Sequence, residues 1–307
     1  MDKLPPELTF VDNAVPFARL CIDATFYWRG SMYDRGSSLA AAYRHALSAV
    51  ESDIVYFETG SMAGAKKLKA DSLGMVPFWL ERAKRREDIY IMHLKAGNTP
   101  DEPTDRAVYF MADEEDDVPV GALKLSLPVS CADKPEQLLQ TVLTVAGDLE
   151  FESGHCGYSL AWDDRGDGAP DALVRMHHLA GRYLGVDLYK VNTTLRAIQL
   201  SDAPGIKVVN WLTLLGGTIV SQLGGAKTVR DATGSSCALY SVGAGLLVRA
   251  GAAPTVGDCN RKDDVSALKS VGRALASVRL KNHGRIFGSP VAGDGDSTQA
   301  WLARFDN

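Results

Sequence analysis

Paired cysteines, surplus basic charge and a clean apolar run are all missing from this 307-residue chain, and each absence excludes a class of protein. The five cysteines, at positions 21, 131, 156, 237 and 259, are odd in number and never form a Cys-x-x-Cys spacing. Neither a disulfide framework nor a zinc knuckle is expected, and a reducing cytoplasm fits best. Lys and Arg number 33 against 38 Asp and Glu, a net charge of -5. Phosphate contacts need clustered cations, so neither nucleic acid nor an anionic membrane is expected as a direct partner. The longest uncharged stretch, Val208 to Ala226, carries Asn210, Gln222, several hydroxyls and two glycine pairs. It reads as a buried turn plus helix rather than a membrane span. The opening residues hold an acid and two prolines where a secretory signal needs an apolar run, so export by that route is not expected.

With 46% hydrophobic and 23% charged residues, the composition is that of a globular protein with material for two domains. From Ala18 to Trp28 apolar residues alternate with Arg19, Asp23 and Thr25, which predicts a long strand. Ser37 or Ser38 is placed to cap a helix carrying Leu39, Tyr43, Ala46, Leu47 and Val50. Strands follow at Ile54–Phe57, Ile89–Leu94, Ala107–Met111 and Val120–Leu127, with a basic helical segment over Phe78–Arg86. Asp133 and Glu136 match a capping box for the helix through Leu138, Leu139, Val142, Leu143 and Ala146. Its end at Gly147 is the expected boundary between an N-terminal half, 1–147, and a C-terminal half, 148–307. The second half opens with a strand, Gly154–Trp162. Helices over Ala172–Tyr183 and Leu212–Leu223 follow, then a hairpin of Ala238–Val242 and Leu246–Arg249, and a late helix through Leu268, Val271, Leu275 and Val278. Strands in adjacent runs point to an α+β fold with largely antiparallel sheet and two related halves.

Candidate chemistry fails on spacing. Gly60–Lys66 is one residue short of a phosphate loop and lacks the following hydroxyl. The turn at Asp163, Asp164 and Asp167 begins like a calcium loop, but Arg165 takes a ligand position and Val174 stands where the bidentate carboxylate belongs. His155 and Cys156 are neighbours on a strand and so face opposite ways, which rules out a thiol-imidazole pair. His177 and His178 are adjacent on a helix, whereas helical metal pairs stand three or four apart. No catalytic set, metal or cofactor is expected.

Several segments in order resemble the immunity proteins of bacterial type VI secretion. They are His155–Trp162, Ile206–Gly216, Gln222–Gly225, Val248–Gly251, then Pro254 and Gly257–Arg261, followed by the closing helix to Leu280. Cys259 is a minor departure. The resemblance implies a non-enzymatic antitoxin that binds a nuclease effector carrying a VRR-Nuc or similar domain. Two rivals are an effector-associated adaptor or chaperone and an enzyme using His155 or the His177–His178 pair. The residues themselves read as structural: Asn210 as a cap and Trp211 as an anchor at a strand-to-helix junction, Gly257, Asp258 and Asn260 as a turn, and Arg261 as a partner for Asp258 or a carbonyl. A nuclease presents positive charge near its cleft. Toxin contacts are therefore expected at Asp113, Glu114, Glu115, Asp116 and Asp117, and at Asp163, Asp164 and Asp167.

Overall fold

A computed structural model describes residues 4–8, 10–12, 15–82, 88–162, 169–188, 190–286 and 295–307. In chain order the strands of the first half are β1 (Phe10–Asp12), β2 (Val15–Arg29), β3 (Tyr56–Thr59), β4 (Lys66–Lys67), β5 (Ile89–Lys95), β6 (Ala107–Asp113) and β7 (Val120–Leu127). The second half supplies β8 (Ser153–Trp162), β9 (Asp187–Leu188), β10 (Leu212–Leu215), β11 (Cys237–Val242) and β12 (Gly245–Ala250). Its main path runs β11-β12-β10-β8-β2-β7-β6-β5-β3-β4, every neighbour antiparallel, with β1 on β2 and a parallel β9 on β8. The long strands of the two halves, β2 and β8, pair over ten residues from Ala18↔Trp162 to Tyr27↔Ser153. The fold is α+β, and the sheet runs on across the expected boundary at Gly147, which lies inside a helix.

Alternation along β2 decides what covers each face. Leu20, Ile22, Phe26 and Trp28 join the main core, where α1 (Gly36–Ser48), α2 (Met75–Arg82), α3 (Pro135–Asp148) and α4 (Ala169–Arg182) pack. Gly121 of β7 lies flat beneath Trp28, since a Cβ there would come within 2.0 Å of the indole. On the second face α5 (Val191–Gln199) presses Val191, Leu195 and Ile198 onto Tyr27, Val120 and Ala122. Beyond it α6 (Gly217–Gln222), α7 (Ala226–Thr233) and α8 (Ser266–Leu275) close a further cluster over β10 and β12. The last helix is α9 (Gly295–Leu302).

Three sequence expectations are corrected. Leu212–Leu215 is a strand, not the start of a helix: all four residues are buried between β8 and β12, so the run shows no alternation and reads like a helix. Asn210 and Trp211 consequently stand at the entry of a strand. No capping box forms at Asp133; Pro135 at the first helical turn makes Lys134 the N-cap, and Glu136 instead pairs with Arg249 at 2.7 Å. Neither Ser37 nor Ser38 caps α1, which starts at Gly36, and the Ser38 hydroxyl donates to the Arg35 carbonyl at 2.9 Å. Of the basic segment, α2 ends at Arg82 and 83–87 lie outside the described residues.

Candidate functional site

β8 turns His155, Gly157 and Ser159 to the second face, and β9 brings Asp187 alongside Ser159. There His155 Nε2 lies 2.8 Å from the Asp187 carboxylate, and Lys207 Nζ donates to both Asp187 oxygens at 2.9 and 2.7 Å and to the Leu188 carbonyl at 2.8 Å. Burial would raise Asp187, but the Lys207 ammonium and His155 override it and hold the carboxyl far below its ordinary range. Burial pushes the Lys207 ammonium down against the pull of Asp187. A second polar chain continues through α5. The Gly284 carbonyl, 2.7 Å from His283 Nδ1, can only accept, so Nδ1 carries the proton; Nε2 lies 2.9 Å from the Thr194 hydroxyl, which also reaches the Lys190 carbonyl at 3.0 Å. Tyr27 hydrogen-bonds Thr194 in turn. Burial holds the His283 imidazole at a pKa of about 4. With His155 only 3% exposed, the cluster is buried, and it clamps β8, β9 and the Lys207 loop together. Cys156 points into the opposite core, where burial raises its thiol well above the ordinary value.

The N-terminal half of the second face lacks such a cover. Between β3, β5 and β6 and the start of α5 lies a cleft of about 550 Å³ whose floor carries Glu58, His93, Lys95, Tyr109 and Lys124. Its charges are bound inward: Lys124 pairs with Asp23 at 3.3 Å, and Arg19 with Glu102 at 2.8 Å. A backbone hydrogen bond from Asn98 is the chief reason that the Glu102 carboxyl sits below its usual range. At the rim the Lys190 ammonium lies 5.0 Å from the Trp162 ring centroid.

The acidic run caps the far end of α5. Arg196 donates to Asp116 at 2.7 Å and Gln199 to Asp113 at 3.1 Å, which ties the β6–β7 loop to that helix. Glu115, Asp116 and Asp117 are exposed. Glu114 is not: at 4% exposure its carboxylate accepts from the Ser31 hydroxyl and the Met32 N–H, both at 2.7 Å. It is therefore a buried staple between this loop and the turn after β2. Asp163, Asp164 and Asp167 lie outside the described residues. On α4, His177 is half-buried and His178 exposed, their rings stacked at 6.0 Å. Among the described residues no helix is long and apolar enough to cross a membrane, and no group of three or more His, Cys, Asp or Glu is placed to hold a metal.

The family described as type VI immunity for VRR-NUC, TsiV, matches residues 57–305. The chain belongs to this family. Its fold is similar to that of the Pseudomonas aeruginosa T6SS protein PA0821, with a TM-score of 0.80 over 95% of this chain and 83% of that one, at 21% identity. No curated protein matches the sequence.

In this immunity protein the segments that carried the resemblance meet in space. Asn210 packs flat on Gly157, where a Cβ would come within 2.0 Å of the amide oxygen. That oxygen accepts from the Trp211 N–H at 2.8 Å, while the indole, 2% exposed, donates to the Gly251 carbonyl at 3.3 Å and lies under Arg249. Gly257, at φ +63°, opens the turn that aims Asp258 inward. Asp258 takes a bidentate bond from Arg182, at 2.9 and 2.8 Å, and accepts from the Asn260 N–H at 2.9 Å; Arg261 stands farther off at 3.7 Å. Arg182, not Arg261, is therefore the main partner, and its hydrogen bond lowers the Asp258 pKa. Asp187, Lys207 and Arg182 went unmarked in the sequence because each is a single charge among apolar or small neighbours with no partner nearby in the chain; only the topology brings them to their partners.

Proposed function

We propose that this immunity protein neutralises a VRR-Nuc effector in the producer's cytoplasm by direct binding, without catalysis, and that the β6–β7 loop presents Glu115, Asp116 and Asp117 to the basic cleft of the nuclease. Family membership supports the partner's class. What carries the choice of surface is the anchoring of the loop: Glu114 is buried at its base and Arg196 braces its tip, so three carboxylates are held outward at little ordering cost. The turn at Asp163, Asp164 and Asp167 is proposed as a second acidic contact. His155 is enclosed by Asp187 and Tyr27, which argues against an enzyme using it.

The test is association with the purified effector at low and physiological salt. Replacing Glu115, Asp116 and Asp117 by their amides slows association by roughly tenfold at low salt, and the gap narrows as screening sets in over ~8 Å. An unchanged low-salt rate would place the interface elsewhere. Protection of cells co-expressing the effector separates this function from that of an adaptor, which would leave them to die.

A further inference from the structure

The two ends of the sheet are finished differently. At one end β4 has two residues, Lys66 and Lys67, both exposed. Shortness and lysine charge are how natural sheets turn away strands from other chains. At the other end β11 has six residues, Cys-Ala-Leu-Tyr-Ser-Val, with no charge and no proline, in unbroken register with β12. Ala238 and Ser241 are exposed. The two-residue turn Gly243-Ala244, with Gly243 at φ +55°, closes this hairpin tightly.

Register tells which backbone groups of β11 are already used. Gly251 N–H donates to the Ser236 carbonyl at 3.3 Å, and these two residues continue the pairing Cys237↔Ala250. Hydrogen-bonded pairs alternate in an antiparallel ladder, so they fall at Ala238, Tyr240 and Val242. The N–H and C=O of Leu239 and Ser241 therefore point out of the sheet. The strand itself is fixed: Cys237 and Leu239 pack on the cluster of α7 and α8, and Tyr240 packs on the main core. What remains is a packed strand whose outer edge pairs with no other strand among the described residues.

We propose that β11 is a homodimer edge, through which two copies join their sheets antiparallel about a two-fold axis at Leu239. About an axis at Leu239 an isologous contact sets Ala238 against Tyr240 and Cys237 against Ser241 of the copy, and with no charge on β11 no like charges are crowded across the seam. Leu239 exchanges both hydrogen bonds with its own copy, and Ser241 faces Cys237. Because the β4 edge is guarded by lysines, association closes at two chains and does not grow into a fibre. The inference stands independently of which surface meets the effector.

Sedimentation of the full chain from roughly 1 to 100 μM tests it, a range that reads micromolar affinities. The expected mass rises from 33.0 kDa toward twice that value. Ala238→Lys with Ser241→Lys, both at exposed positions, weakens the dimer by about tenfold or more, the equivalent of one edge charge cluster. Hydrogen exchange supplies the second readout. The Leu239 and Ser241 amides exchange slowly in the concentrated parent and fast in the variant, whereas Ala238 and Tyr240 stay slow in both. A parent that remains monomeric with fast Leu239 and Ser241 amides overturns the proposal. So does a dimer indifferent to the two lysines, and so does protection of those amides that appears only on adding effector.

Discussion

On the second face of the sheet, the C-terminal half is roofed by α6, α7 and α8, while the N-terminal half opens into the cleft beside α5. Where the roof exists, strand residues on that face are apolar: Leu215, Leu246, Val248 and Ala250. Where it is missing, they are Glu58, His93, Lys95 and Lys124. One sheet thus carries a structural end and a presenting end, and α5 with its polar chain through Thr194 and His283 marks the border. Burial on both faces makes the roofed end the source of stability, and the open end is where surface chemistry can change at little cost.

That contrast sets the size of expected effects. Trp211→Ala, in the roofed half, empties a buried indole site and lowers stability by ~3–5 kcal/mol in urea unfolding. A loss below about 1 kcal/mol with weakened effector binding would make Trp211 an interface residue and break the contrast. At the border, burial depresses His283 to about 4 in the folded chain against ~6.5 unfolded. Its contribution is therefore fully present above pH ~6.5 and is lost as pH falls toward 4, amounting to ~3 kcal/mol. His283→Gln should remove that part of the acid sensitivity; unfolding curves at pH 7 and pH 4 that differ equally for parent and variant would show that His283 titrates normally. Gly157→Ala, on the central strand, pushes a methyl into Asn210 and costs about 1–3 kcal/mol, partly recovered by Asn210→Gly. At the open end, the amide substitutions at Glu115, Asp116 and Asp117 leave stability within about 0.5 kcal/mol, since only the exposed Asp116–Arg196 pair is lost. A larger drop would mean that the loop is structural along its whole length.

β2, β7 and β8 were legible although both their faces are buried, because the faces differ in chemistry: apolar side chains point to the main core, while Asp23, Thr25, Lys124, Ser126, His155 and Ser159 point to the other face, so the alternation survives. β10 was not, because it has only four residues, three of them leucine, and meets apolar neighbours on both faces, so no period shows. α5 escaped for another reason. Val191-Asn192-Thr193-Thr194 begins it with β-branched and polar residues of low helix propensity, and it is held as a helix by packing of Val191, Leu195 and Ile198 on the sheet. At the candidate site, the acidic run was visible as composition, but the inward turn of Glu114 depends on Ser31 and Met32, some eighty residues away.

The seam between β2 and β8 also has a temporal side. Tyr27 and its partner Ser153 are 126 residues apart in the chain. At about 5–20 residues per second on the ribosome, β8 follows β2 by roughly 6–25 s. In that interval β2 can already pair with β7, whose last residue is Leu127, and the first-half strands can assemble in order. The opposite side of β2 stays bare until the second half arrives. Nascent chains are thus most exposed to aggregation and to chaperone capture at this strand, whose apolar residues from Ala18 to Trp28 are buried in the finished sheet.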